Sequence, residues 1–418
     1  MIADAAHHES DATLVRPLGA MERVFYRLGD RHPDHFVLIA EFDEVLTADR
    51  LAPALAPVQR RHPLLSVHIE DRPGTRLGFY RAKTVGPIPL STYAGYSWEA
   101  IAGEELSRPF DRSLAPLLRV SLVQSPTRSA LLLVFEYSIA DGISSLVVLG
   151  DLVAALNGED LTPLPTPQSQ EHWVARTLGN VEPLDPSELT DHPRMRTASR
   201  FRPFYGAPLE VCSLAMAAAD TTRLVEQCRA ERTTVQSALL VATTRARAAE
   251  TGESFVRTLS PINFRSLIGA EQDCAPYLQC TRTGLAPDDR APFWEQARSM
   301  TARLTASRSP RGILTSSNAI RRFMTAEAAA QHAEELLGRI LPWDMVLSNL
   351  GVQNLDGVGP LRPTAVWGPL SQSQTDNEYF TGVTTYEGRM WIATAGYNVP
   401  TTFLKNVEAL LMAAVEQG

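Results

Sequence analysis

Between Leu131 and Leu152 the chain reads LLLVFEYSIADGISSLVVLGDL. An apolar run of strand character ends in four groups able to do chemistry, Glu136, Tyr137, Ser138 and Asp141, and an amphipathic helix follows Gly142. A phenol, with an ordinary pKa of about 10, is a poor base but a good hydrogen-bond donor at neutral pH. Tyr137 can therefore polarise a carbonyl or hold an enol oxygen. A carboxylate at the end of an apolar strand has its pKa raised by desolvation, which qualifies Glu136 as a base near neutrality. Strand alternation puts residues 136 and 137 on opposite faces, so only one of them should meet a substrate. Ser144 and Ser145 stand where a helix start favours hydroxyls. A nucleophilic serine is the sharper reading, but no GxSxG string surrounds them.

The elements that must position these groups recur along the chain. Upstream lie an amphipathic segment with Met21, Val24, Phe25 and Leu28 at helical spacing, a strand HFVLIAEFD, and a helix–strand unit from Thr47 to Asp71. PLLRVSLVQS and SALLLVFEY read as paired strands. Residues 157–171, rich in proline and polar side chains, mark a boundary or surface linker. From about residue 207 strands and helices alternate again, through SFVRTLSPINF and WDMVLSNLGVQNL to a closing helix, TTFLKNVEALLMAAVEQ. Two mixed halves of this kind describe an α/β protein. The expected organisation is a flexible leader over 1–15, an N-terminal lobe over 16–165, a linker over 166–206 and a C-terminal lobe over 207–418.

Composition narrows the function. A chain of 418 residues exceeds one simple core. A net charge of −8 carries no nucleic-acid footprint. Cys212, Cys228, Cys274 and Cys280 form no CxxC pair and lack histidines at ligand spacing, so free thiols are expected rather than a disulfide framework or a metal site. No run of 18 apolar residues is present, and the N-terminus lacks the pattern of a signal peptide. A cytoplasmic protein without membrane association is expected. No glycine-rich phosphate loop precedes a helix. His7, His8, His62, His68, His172, His192 and His332 lack partner signatures, so no catalytic histidine is evident.

The segment Glu136-Tyr137-Ser138-Ile139-Ala140-Asp141-Gly142 resembles the HHxxxDG marker of the condensation-domain-like acyltransferases, which include nonribosomal-peptide condensation domains and polyketide-associated alcohol acyltransferases. The Asp-Gly end matches and both histidines are replaced. RRHPLLSVHIE, RPFDRSLAPLLRVSLV, TVQSALLVATTRA, SPINFRSL, VLSNLG and TTYEGRMWIATAGYN resemble further family segments, in family order, over roughly residues 14–416.

The resemblance implies two chloramphenicol-acetyltransferase-like lobes in a V with a tunnel between them. It implies that Asp141 pairs with Arg265 to orient the turn around Gly142, and that Tyr137 stands where the family places its catalytic histidine, with Glu136 in reserve. Ser144, Ser348, Asn349 and Trp367 are the expected substrate-binding positions. For Ser348 and Asn349 a plain strand-end hydrogen bond is an equal alternative. Trp343, Gln372, Gln374 and Tyr379 lie in segments that line or floor the family's tunnel, although the polar tract 371–377 reads rather as a solvent loop. The implied setting is bacterial secondary metabolism. CoA or a phosphopantetheinyl carrier protein would be substrate or partner to a monomer or weak dimer, with neither metal nor prosthetic group. Three functions stay open: acyl transfer from a thioester to an alcohol or amine; a repurposed cyclisation, elimination or isomerisation; and a binding module without turnover.

Overall fold

The structure, a computed structural model, describes residues 12–185, 193–286, 291–355 and 359–417. His7, His8 and His192 lie outside the described residues. The strands are β1 (Thr13–Pro17), β2 (His35–Phe42), β3 (His68–Glu70), β4 (Gly78–Arg81), β5 (Leu90–Ala94), β6 (Leu118–Gln124) and β7 (Ser129–Glu136) in the first half. The second half adds β8 (Glu210–Ala215), β9 (Val256–Asn263), β10 (Leu278–Leu285), β11 (Met345–Gln353), β12 (Ala365–Ser371), β13 (Tyr379–Tyr386) and β14 (Arg389–Gly396). They form a five-stranded sheet, β12-β2-β7-β6-β5, a six-stranded sheet, β10-β9-β11-β13-β14-β8, and a small sheet, β1-β4-β3.

Strand β7 is buried at all eight positions because β2 and β6 flank it and both its faces are covered. A nearly unbroken apolar run is what such a position requires. The antiparallel register pairs Phe42 with Ser129 and His35 with Glu136. One step beyond that last pair, Asp34 and Tyr137 come opposite each other at the mouth of the ladder.

Strand β12 belongs to the second half of the sequence but pairs with β2 in the first-half sheet, setting Ser371 against Phe36. The C-terminal lobe expected over 207–418 therefore lends one strand to its neighbour. The sequence pattern hides this strand because Gly368-Pro369 interrupts it. An edge strand tolerates proline, and the register shifts between Trp367 and Leu370 to absorb it. On its other side β12 touches β13 backbone to backbone. A Cβ on Gly382 would lie 2.0 Å from the carbonyl oxygen of Pro369.

Two further expectations are corrected. The leader drawn over 1–15 is already a strand at Thr13, because β1 pairs with β4 and Arg16 is locked by a buried ion pair to Glu22 at 2.6 Å. The linker drawn over 166–206 carries a helix, Gln170–Leu178, capped by Ser169. Glu171 on this helix accepts from the backbone N–H of Met21 at 2.9 Å, and Pro167 accepts from Arg16 Nε at 2.7 Å, so the connector is packed rather than loose.

The two halves meet through the helix Ala20–Leu28. Met21, Val24 and Leu28 pack there with Ile320, Met324 and Leu336 of the second half. All four cysteines are free thiols. Among the described residues no helix is long and apolar enough to cross a membrane.

Candidate active site

Beyond β7 the chain turns through residues 137–141 and enters the helix Gly142–Leu156. Asp141 caps this helix by accepting from the backbone N–H of Ser144 at 2.7 Å, as a cap carboxylate does. The same carboxylate accepts from Arg265 Nη2 at 2.9 Å and from the backbone N–H of Tyr277 at 2.8 Å. Arg265 also donates to the carbonyls of Ala270, Asp273 and Ala275. The structure thus brings Asp141 and Arg265 together in the interior, each under 4 % exposed.

Ser144, expected to bind substrate, does not reach a substrate space. Its hydroxyl is fully buried and held among Asp141, Arg265 and the carbonyl of Ala275. Trp367, expected likewise, is drawn into an aromatic core between Trp98 and Trp391, with its Nε1 donating to Glu41 at 2.6 Å. Asn349 turns back on its own strand, where the β11 register shifts, and accepts from the N–H of Gly351 at 2.8 Å. Glu136, at the end of β7, likewise bonds its own turn, accepting from the N–H of Ser138 at 2.6 Å and its hydroxyl at 3.2 Å. Burial raises the Glu136 pKa, but the carboxylate closes its own turn and does not line the cavity.

Tyr137 points the other way, into a cavity of about 90 Å³ between the two large sheets. The walls are apolar, with Met21, Phe25, Leu278, Leu336, Val346 and Phe380 among them. Gly142 and Ser348 also line it, so the positive end of the Gly142–Leu156 helix dipole faces the same space. The Tyr137 ring is stacked on Phe25, with centroids 4.8 Å apart, and tilted against Phe36 at 4.7 Å. The Ser371 side chain, which bonds the His35 carbonyl and Asp34, also acts electrostatically on the phenol. Burial, and then the nearby Asp34 carboxyl, push the phenol well above its ordinary pKa, so it is held as a donor.

Sequence reasoning missed two carboxyls here. Asp34 lines the cavity, and burial together with the Glu378 carboxyl pushes its pKa well above the usual range. Glu378 lies behind the wall, accepting from Trp343 Nε1 at 2.7 Å and from the backbone N–H of Ser373 at 2.8 Å. Burial raises it to about 7. The only sequence signal for Asp34 is its place before an apolar strand that pairs with the strand ending at Glu136. The tract 371–377, read as a solvent loop, is corrected. Ser371, Gln372, Gln374 and Thr375 are buried beneath residues 200–202, and only Asp376 and Asn377 are exposed.

Glu378 sets a pH dependence of stability. The unfolded chain releases this proton near 4.5 and the native state holds it to about 7, so within that window the native state binds more protons. Stability should therefore fall as pH rises from about 4.5 to about 7. Urea midpoints at pH 5 and pH 8 should show the fall, and Glu378→Gln should flatten it. An unchanged slope in the variant would remove Glu378 as its source.

No protein-family model and no curated protein sequence matches the chain. Solved structures do. Polyketide synthase associated protein 5 from Mycobacterium tuberculosis is similar with a TM-score of 0.69 at 17% identity, over 96% of this chain and 98% of that one. The first condensation domain of the CDA synthetase gives 0.66 at 14%, over 97% of each chain. The epimerization domain from the third module of tyrocidine synthetase B gives 0.61 at 14%, over 96% and 97%. Likeness at this level of identity speaks for the fold, and the chain has the condensation-domain-like, chloramphenicol-acetyltransferase-like fold.

Proposed function

We propose that the protein is an acyl-transfer enzyme of natural-product biosynthesis. It moves an acyl group from a CoA or phosphopantetheinyl thioester to an alcohol or amine, with Tyr137 at the position of the missing histidine. The observation that carries this reading is the Tyr137 hydroxyl, held as a proton donor in an apolar cavity between the lobes. Attack on a thioester carbonyl develops negative charge on oxygen, and a fixed donor in a dry site stabilises that charge far better than water does. Gly142 at the helix start and Ser348 supply further polarity on the same wall. The solved neighbours, which include a condensation domain and a polyketide synthase associated protein, support the setting.

A second reading is favoured by Asp34. A buried carboxyl beside an oxyanion donor also suits proton abstraction next to a carbonyl, as in an isomerisation. One experiment separates the two: incubation with a panel of acyl thioesters, with and without alcohol and amine acceptors, followed by intact mass analysis and thiol titration. Acyl transfer predicts an acceptor carrying the acyl mass with an equal amount of free thiol. Substrate conversion without thiol release would replace it by the second reading. Stable association with a carrier but no conversion would leave a binding module.

A further inference from the structure

We propose that Asp34 is the catalytic base of this cavity, accepting the proton of the attacking alcohol or amine while Tyr137 holds the carbonyl oxygen. The assignment rests on the acyl-transfer reading above. It follows from where the titratable groups point. His35 turns away from the cavity, with its Nε2 2.8 Å from the carbonyl of Glu105, and burial lowers its pKa to about 4. His32 is engaged by Glu334 at 2.9 Å. Glu136 is tied to Ser138 and Glu378 to Trp343 and Ser373, and neither lines the cavity. Cys280 does line it, but burial, and then the Asp34 carboxyl, push its thiol up to about 12. Asp34 is the carboxyl left on the wall, placed opposite Tyr137 by the β2–β7 register.

The local hydrogen bonds leave Asp34 free to change state. Ser371 Oγ lies 2.8 Å from the carbonyl of His35 and 3.2 Å from Asp34 Oδ1, and it has one hydrogen to give. When that hydrogen goes to the nearer carbonyl, a protonated Asp34 can donate to the serine oxygen. When Asp34 is ionised, the serine can turn to it. The titratable groups acting on or facing Asp34 are Glu378, Glu136, Tyr137 and Cys280. Tyr137 and Cys280 are held neutral, and burial first, then the Glu378 and Glu136 carboxyls, hold Asp34 above its ordinary range. A base raised in this way works nearer neutrality than a free aspartate.

The acceptor oxygen or nitrogen attacks the thioester carbon, its proton passes to the Asp34 carboxylate, and the carbonyl oxygen becomes an oxyanion held by the Tyr137 O–H. Collapse breaks the carbon–sulfur bond, and the departing thiolate takes the proton back from Asp34. Thiol and ester or amide leave, and the carboxylate is restored.

The test compares wild type with Asp34→Asn and Asp34→Glu in the thioester assay. Asp34→Asn should lower kcat by about 10²–10⁴-fold and abolish the acid limb of kcat/KM, and Asp34→Glu should restore part of the rate with that limb present. Neutralising a buried carboxyl that lies near two others should not unfold the protein. Asp34→Ala with added formate gives a second route, in which formate should return activity. An Asp34→Asn enzyme within threefold of wild type, with the acid limb intact, would overturn the base and leave acyl transfer standing. If wild type transfers no acyl group, the functional reading fails. Asp34 is then judged by exchange of the thioester α-hydrogens in D₂O. Exchange present in wild type and absent in Asp34→Asn supports the base, and no exchange in wild type overturns it.

Discussion

Arg265→Ala is expected to lower the unfolding free energy by about 3–5 kcal/mol, the loss typical when one partner of a buried ion pair is removed. The guanidinium reaches Asp141, the Ser144 hydroxyl and three backbone carbonyls, and it lies over the Tyr277 ring at 4.8 Å. Truncation would strand the Asp141 carboxylate in the interior and take one donor from each of those carbonyls. Two helical N–H and O–H donors of Ser144 and the N–H of Tyr277 would still hold Asp141, which keeps the loss within this range rather than beyond it. Urea denaturation should show a lower midpoint with the slope unchanged. Lysine should rescue little, because one ammonium cannot span acceptors that a planar fork reaches together. A loss under about 1 kcal/mol would mean that the pair does not hold the turn.

The turn and its brace were legible in the sequence for different reasons. An eight-residue apolar strand followed by a polar turn and an amphipathic helix is a local pattern, and β7 with its helix follows it. The partnership of Asp141 with Arg265, 124 residues apart, came from resemblance and not from any local signal. Asp34 and Glu378 escaped because their burial is made by other elements. Asp34 matters only through a register that sets residue 34 opposite 137, and register depends on pairing that a single strand does not state. Glu378 and the tract 371–375 look like a solvent loop until β12 crosses into the first sheet and residues 200–202 cover them. Ser144 failed for the opposite reason. Its hydroxyl sits at the right turn, but the helix start and Arg265 use it completely.

Tyr137→Phe carries the second large effect, this time on rate. If the phenol is the oxyanion donor, its loss should lower kcat by about 10²–10³-fold, or about 2.7–4 kcal/mol of transition-state stabilisation. The fold should not notice. The ring keeps its contacts with Phe25 and Phe36, and Ser371 retains the His35 carbonyl as an acceptor. KM should change little, because a neutral ground-state carbonyl gains much less from the donor than the oxyanion does. The pH profile distinguishes this residue from its neighbour. The phenol stays protonated throughout the working range, so Tyr137→Phe should depress the whole kcat/KM curve and leave the acid limb where it is. A variant whose limb disappears would make Tyr137 part of the titrating unit rather than a fixed donor. A variant with wild-type kcat would move the oxyanion site to the helix start at Gly142 and to Ser348, which line the same cavity.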